Sequence, residues 1–237
     1  MKIEEILERY AAGERNFQGA DLREIELIKV NLKGINFSGA DLRQARLGKT
    51  NLAQASFREA NLSEAILWGS DLSEADLYQA VLRDADLSGA KLIQANLTEA
   101  YLSKACLCGA NLSGAKLERA VLFEVDFRPT SDRRTDLGKA DLNGADLSYA
   151  NLSAALLYRV NLDKAKLCRA NLSVGMRQDS FVTDLTEASL QEADLSYADF
   201  TGAILCKANL RGADLTGTIL VDADLEGAIM PDGTVLD

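Results

Sequence analysis

The chain has 237 residues, with 36 acidic groups against 26 basic, a net charge of −10 and no histidine. The absent imidazole excludes Ser-His-Asp and Cys-His catalytic sets and histidine metal centres. No apolar run approaches the roughly 18 residues of a membrane span, and the acidity opposes direct binding of nucleic acid.

The first predicted element is a helix. In MKIEEILERYAAGERNF, Ile3, Ile6, Leu7, Tyr10 and Ala11 follow the i, i+3, i+4 spacing of one helix face, which predicts a helix over 2–12. Gly13 stands where such a helix would stop. Its apolar stripe is expected to cap whatever follows, because an uncovered sheet edge invites strand addition.

From Phe17 onward an apolar residue, usually leucine, recurs at every fifth position, and from Ser70 to Leu97 a small residue stands two places before each leucine. On a helix a step of five advances about 140° net, so the leucines would wander round the cylinder. On a continuous strand an odd step alternates faces. Every leucine can point inward only if the chain turns a corner about every five residues, so short flat sides each donate one leucine and one small residue to an internal core. The register holds from Phe17 to Phe127, resumes in the same phase from Leu137 to Leu172, and runs again from Leu185 to Met230. The residue before the leucine is mostly Asp or Asn, which suits a corner because its side chain hydrogen-bonds nearby backbone. Phe17, Phe37 and Phe57 are spaced by 20, which predicts four sides per coil and one stacked column.

Several outward positions break the polar rule. Ile66 and Trp68 flank inward Leu67. Val81, Tyr101 and Val121 replace Asp/Asn at intervals of 20 and should stack on one side, with Phe123 beside them. A stacked apolar column marks an interaction surface, and aromatic and Arg residues are the favoured anchors. At a period of 20, Tyr78 and Tyr158 are expected to share one side. Cys106 and Cys108 flank Leu107 and should face outward; C-x-C without His or a second pair is a weak metal signal, so no metal or cofactor is assigned. Cys108 and Cys168 are expected in one column, three coils or about 14 Å apart, too far for a disulfide.

Two stretches interrupt the repeat. RPTSDRRT, the core of a loop over 128–136, replaces the unit centred on 132 and gathers Pro129 with Arg128, Arg133 and Arg134. SVGMRQDSFVT forms a second loop over 173–183, and whether it replaces a side or is inserted whole stays open. Both should leave near one edge, about 10 Å apart along the rod. Loops on a rigid scaffold are where function collects, so Arg128, Arg133 and Arg134 join Trp68, Val81, Tyr101, Val121 and Phe123 as candidate partner-binding residues. Residues 101–180 carry 12 basic and 9 acidic groups, residues 181–237 only 2 basic and 11 acidic; the basic middle suits an acidic protein patch. At the end, Asp232-Gly233 signals a turn, with Val235 and Leu236 folding back to cap the last coil over 231–237.

The A-[DN]-L-x-x pattern, sustained over most of the chain, resembles the pentapeptide-repeat proteins. The resemblance implies an all-β solenoid: a right-handed quadrilateral β-helix over 16–230 within a single domain spanning 1–237. At strand spacing about ten coils make a rod of roughly 48 Å. The stretches ILERYAAGERNFQ, NLSEAILWGSDLSEADLYQA, RPTSDRRTDLG and GAIMPDGT resemble a branch of the family tied to heterocyst differentiation in cyanobacteria. That likeness implies a non-enzymatic, monomeric regulator that binds the transcription factor HetR and opposes PatS-type inhibitory peptides. A start without a basic-then-apolar leader, and four cysteines suited to a reducing compartment, lead us to expect a cytoplasmic location. The alternative is a DNA mimic that binds gyrase, as other members of the family do. The overall acidity favours it; the basic middle and the arginine loop speak against it.

Overall fold

The computed structural model describes residues 1–174 and 181–237. Its unit is well illustrated by Ser70–Ala75. The Leu72 N–H donates to the Lys91 carbonyl of the next coil (2.7 Å) and Lys91 N–H returns to the Ser70 carbonyl (2.9 Å), so each side makes one ladder rung before the chain turns. The turn closes when Ala75 N–H donates to the Leu72 carbonyl at 3.0 Å. Asp71 Oδ1 accepts the Ser73 N–H at 3.0 Å, the local bond that makes Asp or Asn favourable there. The left-handed burden falls elsewhere, on Glu74 at φ 58°. Such a turn needs positive φ at its third residue, and the Glu74 N–H is thereby aimed at the Ile93 carbonyl (2.8 Å) of the next coil.

Parallel pairing at steps of 20, such as Asn61 with Val81 and Val81 with Tyr101, stacks the coils into a right-handed four-sided β-helix. We number the faces by their first inward residue: face one from Phe17, face two from Leu22, face three from Leu27, face four from Leu32. Phe17, Phe37 and Phe57 do stack, with ring centroids 6.0 and 5.7 Å apart. One continuous apolar core runs from Ile6 to Ala228.

The interruptions are insertions. The pairing step lengthens to 25 residues between Asn111 and Asp136, and to 28 between Leu156 and Asp184. The first loop therefore adds five residues and the second eight, and neither consumes a side. This corrects the expectation that RPTSDRRT replaces a unit, and it answers the question left open for the second loop, whose central residues 175–180 lie outside the described ones. The first insertion turns the later register by one face relative to a strict period of 20, and the second shifts it by a further eight residues. Tyr78 therefore sits on face one and Tyr158 on face four, and Cys108 on face three and Cys168 on face two, so neither pair shares a column as expected.

The helix α1 (Ile3–Ala11) buries Ile6 fully and packs Ile3, Leu7 and Tyr10 against the first coil. Gly13, at φ 95°, closes it by donating to the Tyr10 carbonyl. Tyr10 Oη also donates to the Lys33 carbonyl (2.9 Å), and the Arg9 guanidinium lies 4.8 Å from the Phe17 ring centroid. At the other end the tail turns back: Val235 pairs antiparallel with Ile229, and Leu236 N–H donates to the Ala228 carbonyl at 3.0 Å. Leu215, Leu220 and Leu225 in the last coil remain only partly covered.

Candidate protein-interaction site

Both loops leave the rod at the corner between faces three and four, after Phe127 and Leu172, two coils apart. Each re-enters through a buried threonine at a position where alanine is the rule. Thr135 Oγ1 accepts the Gly109 N–H (2.9 Å), and Thr183 Oγ1 accepts the Ala154 N–H (2.8 Å). The Thr183 hydroxyl satisfies a backbone donor that a methyl group would leave without it, while the Gly109 N–H is shared between Thr135 and the Arg128 carbonyl (3.1 Å). Within the first loop, Thr130 N–H donates to the Arg133 carbonyl (2.8 Å) and the Thr130 hydroxyl to Asp132 (2.9 Å), so the loop closes on itself.

The three arginines have different fates. Arg128 is held on Asp126, with Nε 3.0 Å from Oδ1 and Nη2 2.7 Å from Oδ2. Burial pushes the Asp126 carboxyl up, but the Arg128 hydrogen bonds outweigh this and hold it below its ordinary range. Arg133 projects, its side chain 61% exposed, with a loose ion pair to Asp132 at 3.6 Å. Arg134 turns inward. Its Nε donates to the Ala154 carbonyl (2.8 Å) and its Nη2 to the Ala155 (3.2 Å) and Val182 carbonyls, while Phe181 covers it, centroid 5.1 Å away. Burial lowers its pKa from the ordinary value, and among the described residues no carboxylate is hydrogen-bonded to it. The guanidinium thus joins the first loop to the returning end of the second. Beside it an open groove of about 430 Å³ on face four is lined by Ile93, Asn111, Arg133, Arg134, Leu156 and Phe181.

Val81, Tyr101 and Val121 pair in one ladder on face two, as the spacing predicts, and Tyr101 is half exposed. Phe123 meets the Tyr149 ring edge-on at 5.5 Å. The Arg169 guanidinium then lies between Tyr149 (6.0 Å) and Tyr197 (5.3 Å). The aromatic stripe therefore continues along the corner of face two well past the predicted column. Tyr149, Arg169 and Tyr197 escaped sequence reasoning because the two insertions hide their alignment; allowing steps of 25 and 28 would have revealed it. Phe181 was also missed, since it lies in no repeat.

Trp68 is on face three, three coils below the first loop, about 14 Å at strand spacing. Its indole lies against Gly48, where an added Cβ would sit 2.6 Å from Nε1, and Lys49 Nζ stands 4.6 Å from the ring centroid. It is a part-covered ring, still 39% exposed. The structure thus brings Arg133 and Arg134 together, and Val81, Tyr101, Val121 and Phe123 together, but leaves Trp68 apart from both groups.

Between the stripe and the loops, face three carries Cys106 and Cys108 with Asp126 on the coil above. Hydrogen bonding from Cys108 pulls the Cys106 thiol toward its ionised form and pushes Cys108 the other way.

A four-sided helix of five-residue units with one leucine per side defines a class, and the chain belongs to the pentapeptide-repeat family. The family's model, Pentapeptide repeats, matches residues 14–44, 40–79, 75–114, 100–128, 135–173, 183–220 and 193–232. Within the class, the chain is 61% identical to HetL, a pentapeptide repeat protein involved in heterocyst differentiation regulation from the cyanobacterium Nostoc sp. strain PCC 7120, with 100% of both chains covered and a TM-score of 0.98. It is also 31% identical to a pentapeptide repeat protein of the Arabidopsis thaliana thylakoid lumen, over 51% of this chain and 68% of that one, at a TM-score of 0.33. QnrB1, a plasmid-mediated fluoroquinolone resistance protein, aligns at 19% identity over 93% of both chains, at a TM-score of 0.32. No curated protein sequence matched the chain. Among the described residues, no helix is long and apolar enough to cross a membrane.

Proposed function

We propose that this protein is a regulator of heterocyst differentiation that acts as a monomeric cytoplasmic binding scaffold, engaging the transcription factor HetR and opposing PatS-type peptide inhibition. The observation that carries this reading is the full-length likeness to HetL, 61% identical with a TM-score of 0.98. The local geometry supports a role in binding. The ladder bonds hold a stiff frame, Arg134 ties two loops into one projecting edge, and Arg133 stands free of that tie. A partner with an acidic patch would meet Arg133 at the rim of this edge and the groove residues behind it. Arg128, Trp68 and the Val81–Tyr101–Val121–Phe123 stripe would form further contact surface.

Calorimetric titration against HetR at two salt concentrations tests this reading. Arg133→Glu should weaken binding about tenfold or more, with the larger effect at low salt, because rim charges act through steering and pairing. Undiminished affinity at both salts would remove the loop edge from the interface, and absent binding by the parent protein would remove HetR. The gyrase reading makes the opposite forecast: the protein would inhibit or protect DNA supercoiling, whereas a HetR-binding scaffold leaves that reaction unaltered.

A further inference from the structure

Face three holds a group of side chains beside the first loop that the aromatic stripe does not use. Cys106 precedes Leu107 and Cys108 follows it, so both thiols leave the same outer side of one coil. Asp126 stands directly above Cys106 in the next coil, paired with it across the ladder. The two sulfurs and one Asp126 oxygen all lie within 4.8 Å of one another. The groups around them are also ordered. Ser88 Oγ is 3.1 Å from Cys106 Sγ. Arg128 grips the Asp126 carboxylate through Nε and Nη2.

We propose that Cys106, Cys108 and Asp126 form a binding site for a thiophilic divalent cation of the zinc class. Thiolate and carboxylate are both donors that zinc takes, and three protein ligands leave the fourth tetrahedral position to water. Soft sulfur donors disfavour magnesium and calcium, which take oxygen ligands. The charges balance: two thiolates and one carboxylate against a divalent ion leave a single negative charge, and Arg128 supplies the compensating positive one. Arg128 bonded to the carboxylate and Ser88 beside the Cys106 sulfur are the outer partners that orient ligands in such sites. Loading releases the two thiol protons to solvent. The ligands stand on adjacent rungs of a hydrogen-bonded ladder, so the frame that holds them exists before the ion arrives.

The test is titration of the reduced full-length chain with cobalt(II), read by absorption. Cobalt should bring up an intense sulfur-to-metal charge-transfer band in the near ultraviolet, and zinc should displace it. Cys106→Ser should abolish the band, and Asp126→Asn should weaken binding about tenfold or more. Cys168→Ser and Cys206→Ser should leave both unaltered. Melting curves confirm that each variant is folded, and Cys108→Ser gives a second reading of the same site should Cys106→Ser fail to fold. A parent protein with no charge-transfer band overturns the proposal, as does a band that survives in folded Cys106→Ser. Undiminished affinity in Asp126→Asn overturns the three-ligand site.

Discussion

The Arg134 guanidinium in the first loop donates to the Val182 carbonyl at the return of the second, 48 residues further on. It also reaches the Ala154 and Ala155 carbonyls on the coil between. One side chain therefore holds both insertions against the rod.

Arg134→Ala should free the two loops from each other. Hydrogen bonds from a charged donor contribute about 1.5–3 kcal/mol, and three are lost here. We expect faster hydrogen exchange and proteolytic cutting in the first loop, with the distal coils unaltered. Arg134→Lys should rescue only in part, since an ammonium lacks the planar fork. Equal protection of the loop in Arg134→Ala and the parent would show that Arg134 is dispensable there.

Leu87 is fully buried in mid-rod. Leu87→Ala should destabilise by about 2–5 kcal/mol in chemical unfolding. Leu87→Asp should unfold the surrounding coils, because an unpaired charge in the core is costly and each coil rests on its neighbours. A parent-like melting curve for the Asp variant would be incompatible with the inward register.

Ile6 is the one residue of α1 that is completely enclosed. Ile6→Asp should lift the helix and uncover the first coil, giving concentration-dependent aggregation on mild heating before β signal is lost. Light scattering alongside circular dichroism measures the order of these events. A variant that stays monomeric through the same range would separate the helix from edge protection.

Stability should fall in acid. Hydrogen bonds from Arg23 bring Asp21 to about 2, and Arg43 likewise lowers Asp41. In both cases the folded pKa lies below the unfolded value of about 3.9. Their contribution is therefore present above that value and is lost as pH falls through the folded pKa toward about 2. Melting temperatures from pH 6 to 2 should be level and then drop below about pH 4. Asp41→Asn should flatten part of that drop, and an unaltered acid limb would assign the loss to other carboxylates.

Much of the molecule was legible from leucine spacing alone. A period of five admits no helix and no flat strand, so it determined the cornered solenoid, the inward Leu and Ala, and the stacking of Phe17, Phe37 and Phe57. The i, i+3, i+4 pattern likewise placed α1 to within a residue at each end, Ile3–Ala11 against the predicted 2–12. What periodicity left undetermined was the face on which each residue lies beyond the interruptions. Leu137 keeps the phase of five whether the preceding unit forms a side or loops out, so the sequence pattern is the same in both cases. Only the hydrogen bonds between coils, pairing Asn111 with Asp136 and Leu156 with Asp184, decide it. That decision set Tyr149, Arg169 and Tyr197 in line and separated Cys108 from Cys168, whereas the shared exit edge of the two loops was already legible from the spacing. The fate of Arg134 was likewise tertiary. Three neighbouring arginines read alike as surface charge, and what distinguishes them is the carbonyls of residues 154, 155 and 182, which only the folded rod brings within reach of one guanidinium.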